Sequence, residues 1–155
     1  MTTKIDIRSL PHLAPWADAD PQFTPLTWLY AEANVEMAVA FTALFWPDLV
    51  EHNGGVFLRA FFDPEVFAQW QEKLGDDIAA IERVMNHRHV GDLLPGAEHV
   101  GSGNLRHLGR VLAATWQARL AEMFPHRQLE VRCNEAPEDE DVVITFFQNL
   151  LQNSL

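Results

Sequence analysis

Apolar positions recur at helical spacing in four parts of the chain and alternate with polar ones in shorter stretches between them. Leu26, Leu29, Tyr30, Ala33, Met37, Ala40, Phe41 and Leu44 predict one helix over about residues 26–45. Thr24 is its cap, Pro25 suits its first turn and Pro47 stops it. Trp28, Val35 and Val39 lie on other faces, so this helix is expected to be buried on more than one side. Asp63-Pro64-Glu65 starts a second helix, with Val66, Phe67, Trp70 and Leu74 facing inward and Gly75 ending it. Asp76 or Asp77 caps a third, through about His87, on the stripe Ile78, Ile81, Met85. A fourth runs roughly over 105–124, with Leu108, Leu112, Trp116, Leu120 and Met123 in register, Asn104 as cap and Pro125 closing it.

The strand signals are fewer. Asn53-Gly54-Gly55 marks a turn before an extended stretch, Val56–Phe62. Leu49–His52 is either its short partner or the loop before the turn. Gln128–Cys133 and Val142–Gln148 complete the set. Leu129, Val131 and Cys133 alternate with Glu130, Arg132 and Asn134, which gives one buried and one wet face. Residues 90–103 read as a loop. Pro11, Pro15, Pro21 and Pro25 make the first 25 residues an extended arm, pinned by Leu10, Leu13, Trp16 and Phe23. The expectation is an α+β fold: a small, mainly antiparallel sheet of three to four strands with about four helices packed on one face. It forms a single domain over 1–155, with a proline-rich N-terminal arm, 1–25, packed on it.

Charge changes the picture more than composition does. The 155 residues include 22 acids against 11 Lys and Arg, a formal net charge of −11. That balance argues against nucleic acid and against anionic membrane surfaces, both of which need basic residues. It favours a basic protein partner, or serves solubility alone. Ten Phe and five Trp make a heavy aromatic content, some of it for the core and any excess open to an interface. Cys133 is the single cysteine, so no intrachain disulfide forms, as suits a reducing compartment. No apolar run follows Lys4 and Arg8 as a secretory signal would need, and Met37–Trp46 is too short to span a bilayer. These features point to the cytoplasm.

The densest feature is Glu135-Ala136-Pro137-Glu138-Asp139-Glu140-Asp141, between two apolar segments. Repulsion places it in water at a hairpin tip. There Glu135, Glu138, Asp139, Glu140 and Asp141 are candidate partner-binding residues, or a solvated tip that protects a sheet edge. His87 and His89, with Asp92 nearby, are the best metal candidates, but residues two apart on a helix point to different faces. A polar helix end is the simpler role. His99 and His107 add no ligand pattern. Gly101-Ser102-Gly103 precedes Arg106, His107 and Arg110 but lacks both the Walker spacing and a preceding strand. Ser102 lacks a nucleophile elbow, and Cys133 sits in a strand alternation where it acts as a small hydrophobe. No catalytic residue and no cofactor is assigned.

In general character the chain resembles the small acidic immunity proteins of bacterial toxin–immunity systems. Phe45-Trp46-Pro47, the segment from Met85 to His89 and the segment from Val142 to Gln148 look like those of small bacterial proteins of that setting. They carry no functional motif, so no site residue transfers with them. The resemblance implies a non-catalytic protein that neutralises a basic toxin by masking its active site. Two other classes stand beside it: a small metal-binding protein or enzyme built on His87, His89 and Asp92, and a homodimeric adaptor with an aromatic interface.

Overall fold

The computed structural model describes residues 4–134 and 141–150. The fold is α+β, with six α-helices and two small antiparallel sheets among the described residues. In chain order the elements are α1 (Ala14–Ala19), α2 (Pro25–Glu32), α3 (Val35–Phe45), β1 (Leu49–His52), β2 (Gly55–Leu58), α4 (Pro64–Leu74), α5 (Ile78–Met85), β3 (Arg88–His89), α6 (Ser102–Met123), β4 (Leu129–Cys133) and β5 (Val143–Gln148). The strands divide between a β1–β2 hairpin and a three-stranded sheet ordered β3-β5-β4.

Local chemistry accounts for the boundaries. Asn53 and Gly54 have φ of 46° and 83°, and they join the paired residues His52 and Gly55 as a two-residue primed turn. Asp63 accepts from the Glu65 N–H at 2.8 Å to start α4, and Asp77 accepts from Ala80 N–H at 3.1 Å to start α5. The single helix expected over 26–45 is two helices. Ala33 and Asn34 are extended, and the Asn34 side chain accepts from Met37 N–H at 2.9 Å, so it caps a new helix. Nor is that region buried on several sides: no residue of α2 or α3 is buried. α6 starts at Ser102, before the expected cap. Asn104 instead holds the N-terminal arm, accepting from Asp6 N–H at 2.9 Å and donating to Asp6 C=O and Ser9 Oγ.

Two apolar clusters meet on β2. Val56 and Leu58 join Leu112, Trp116 and Leu120 of α6 and Ile144 and Phe146 of β5. Phe57, pointing the other way, joins Phe67 of α4 and Ile81 and Met85 of α5. β2 is therefore buried on both faces, a four-residue strand between two cores.

Side chains of α5 complete the edges that the strands leave open. β3 pairs with β5 only at Val143 and Ile144. Beyond that point Glu82 and Asn86, one helical turn apart, stand between β5 and β2. Glu82 Oε1 accepts from Val56 N–H and Gln148 Nε2, both at 2.8 Å, and its Oε2 accepts from Gln148 N–H at 2.7 Å. Asn86 Oδ1 accepts from Leu58 N–H at 3.1 Å, while its Nδ2 donates to Val56 C=O at 3.0 Å and Phe146 C=O at 3.2 Å. Both side chains are buried. Burial pushes the Glu82 carboxyl above its ordinary value of 4.5, against the pull of Gln148 and Val56 as donors.

Removing either clamp residue strands buried backbone groups. Asn86→Ala leaves three without partners, and an expected loss of about 3 kcal/mol or more is measurable by urea denaturation. Glu82→Gln turns one acceptor into a donor facing donors, at about 1–3 kcal/mol. It also removes a pH dependence. The unfolded Glu82 loses its proton near 4.5 and the folded one at higher pH, so wild-type stability falls as pH rises between the two values. That component of the slope should be missing from the variant's denaturation midpoints across the window.

Candidate functional site

The acidic run joins the antiparallel strands β4 and β5, paired from Leu129 with Gln148 to Cys133 with Ile144. Glu135, Glu138, Asp139 and Glu140 lie outside the described residues. Asp141 is described, and it faces a partner within the chain. Its Oδ2 lies 2.5 Å from His89 Nδ1, and its C=O accepts from Asn134 Nδ2 at 2.6 Å. The C-terminal end of the run thus sits against the histidine segment, far apart as the two are in sequence.

That segment is not helical, which corrects the expected geometry. α5 ends at Met85, and Arg88–His89 form a strand beside β5. In extended chain, residues two apart share a side. His87 and His89 accordingly meet edge to face, with ring centroids 4.9 Å apart. Both, with Asp92, line one cavity of about 620 Å³. Among the described residues, however, no three His, Cys, Asp or Glu side chains converge as a metal site needs. His87 is exposed, and partial desolvation pushes its imidazole below the ordinary value of 6.5; neighbouring His89 and Arg88 push it the same way, and Asp141 opposes them. His87 is therefore neutral at pH 7.

α3 also lines the cavity, through Met37, Ala40, Phe41 and Leu44. α3 is fastened mainly at its C-terminal end. Trp116 Nε1 donates to Leu44 C=O at 2.9 Å, and Arg119 Nε donates to Pro47 C=O at 3.3 Å. Leu44 and Phe45 are half-buried and Pro47 is buried. Towards its N-terminus the apolar residues stand in the open: Val35 is 79% exposed and Val39 63%, and on α2 Leu26 is 75% and Tyr30 94% exposed. Leu29 of α2 is exposed as well.

The other candidates separate. Ser102 and Gly103 lie inside the first turn of α6, not in a loop. Cys133 is packed closely on α6: a Cβ built on Gly109 would fall 2.8 Å from its Sγ, so glycine is needed there. Among the described residues no helix is long and apolar enough to cross a membrane. Comparison with protein-family models, with curated proteins and with solved structures finds no match.

Sequence reasoning missed two features. The exposed α2–α3 patch hid behind a periodicity that normally means burial. The clamp residue Glu82 sits on the Ile78–Ile81–Met85 stripe at helical spacing, and a carboxylate on an apolar stripe was the available signal. The His87 environment is open to direct test. An NMR titration of its ring protons should give a midpoint below 6.5, and His89→Gln should raise it only part of the way, because desolvation is the larger cause.

Proposed function

We propose that this chain is a non-catalytic binding protein that takes a basic protein partner on the surface formed by α2 and α3. The observation that carries the reading is that α3, apolar on nearly every face, buries none of its eleven residues. A helix hydrophobic all round belongs in an interior. An exposed patch of this kind marks an interaction site, and its aromatic members suit hot spots. Charge selects the partner. Between Arg8 and Arg59 there is no Lys or Arg, whereas Glu32, Glu36 and Asp48 lie exposed around the patch. Together with a net charge of −11, this favours approach by a basic surface.

The narrower form of the proposal is toxin neutralisation in the cytoplasm, as in the immunity proteins the chain resembles. Carboxylates at Glu135, Glu138, Asp139, Glu140 and Asp141 would occupy the groove where a basic toxin holds phosphate. The apolar patch would then slow dissociation. The charge balance and the placement of the run between β4 and β5 support it. The metal-protein reading has less support, since His87, His89 and Asp92 share a cavity without a third converging ligand among the described residues. The homodimer reading competes for the same patch.

The test is capture from the native host with wild type and with the variant Tyr30→Ser/Val35→Ser/Val39→Ser. These exposed substitutions should change stability by only about 0.5 kcal/mol each. Wild type should retain one stoichiometric partner of high isoelectric point, and the variant should bind the purified partner on the order of 100-fold more weakly. Charge reversal at Glu138, Asp139, Glu140 and Asp141 should slow association at low salt and leave the fold intact. Equimolar protein should abolish the partner's toxic activity; a partner without one removes the narrower form. A wild-type dimer that the variant dissociates would establish the homodimer instead.

A further inference from the structure

The cavity beneath α3 stands apart from the outward patch. Met37, Ala40, Phe41 and Leu44 fall at i, i+3, i+4 and i+7, one face of the helix, and line it; Val35 and Val39, on the other face, do not. The lining outside α3 includes further apolar side chains, Phe61, Leu93 and Leu94. Its volume of about 620 Å³ is that of a small-molecule site.

The polar end is unusual. Arg88 lines the cavity with its guanidinium 4.0 Å from the centre of the Phe61 ring. One donor, Nη2, goes to Met85 C=O at 2.9 Å. Its Nε is enclosed and has no acceptor, and no carboxylate among the described residues forms an ion pair with it. A half-buried cation held against an aromatic face, with no ion pair among the described residues, retains charge that can receive an anion. His87, beside it, has no hydrogen-bond partner among the described residues, and its neutral ring offers one N–H. The charges facing this end are not all favourable. Asp92 also lines the cavity, and Asp141 is held on His89. Two carboxylates nearby disfavour a multiply charged head such as a phosphate and leave room for a single negative charge.

We propose that this cavity binds a single-chain amphiphilic carboxylate, its hydrocarbon chain along the Met37–Phe41–Leu44 wall and its head on Arg88 and His87. The site does not depend on the protein partner proposed above, which uses the other faces of α3.

Titration calorimetry with dodecanoate below its micelle concentration tests it, with dodecanol and dodecylammonium as chain-matched controls. One dodecanoate should bind per chain, about tenfold or more tighter than dodecanol, with dodecylammonium weaker still. Arg88→Gln should remove the preference for dodecanoate over dodecanol. Ala40→Phe, on an exposed helix position, should fill the cavity and weaken all three ligands; it serves as the decisive variant if Arg88→Gln does not fold. Absence of one-to-one dodecanoate binding overturns the proposal. So does equal affinity for dodecanoate and dodecanol, or binding that Ala40→Phe leaves unchanged.

Discussion

The two sheets are joined by side chains, not by a strand. Glu82 and Asn86 reach from α5 into the gap between β2 and β5 and satisfy backbone groups that a further strand would otherwise satisfy. An open sheet edge inside a core costs more than most substitutions can recover, because each orphaned N–H or C=O keeps its full desolvation penalty. The clamp removes that penalty with two residues one helical turn apart. It does so at the expense of burying a carboxylate, whose raised proton affinity records the cost. The rest of the fold depends on this exchange. β2 has β1 as its one strand neighbour, so without the clamp the Val56 and Leu58 backbone groups on its other edge would be buried without partners.

The clamp also explains where the chain runs out of core. α4, α5 and α6 pack on the faces of β2 and β5, and of α3 only Leu44 and Phe45 pack against the core they form. α3 is therefore held at its last turn, by Trp116 and Arg119 on the carbonyls of Leu44 and Pro47. Its remaining apolar length either walls the cavity or faces solvent. A second helix, α2, carries the same character outward. The unburied surface is thus a consequence of packing geometry, and it gains a purpose only if something else covers it.

Much of this was legible from residues whose effect is local. Asn53-Gly54 set the β1–β2 hairpin, Asp63-Pro64 and Gly75 bounded α4, and the alternation from Leu129 placed β4 beside β5. What was not legible depended on competition between levels. The period through residues 26–45 is continuous, yet Asn34 breaks it, because a side-chain acceptor on the Met37 N–H stabilises a new N-terminus more than it does a helix interior. The same period reads as burial, but burial needs a partner surface, and pattern alone does not supply one. His87 and His89 were assigned to opposite faces on the assumption of a helix that in fact ends at Met85. Two residues of extended chain reversed that geometry and brought both rings to the cavity.

The arrangement places opposite demands side by side. Asp141, the described end of the acidic run, lies against His89, and His89 lines the cavity that α3 also lines. Long-range attraction and short-range apolar contact are therefore available from neighbouring parts of one surface. Charge falls off over about a Debye length and acts before contact, so it sets the rate of encounter. Apolar burial acts only after contact, so it sets the lifetime. A protein that must find a basic partner quickly and hold it needs both, and needs them close enough for one partner to span. Arg88 is the exception within this surface, a desolvated positive centre in an anionic molecule. It lines the cavity together with Met37, Phe41 and Leu44, whereas Val35 and Val39 lie on another face of α3.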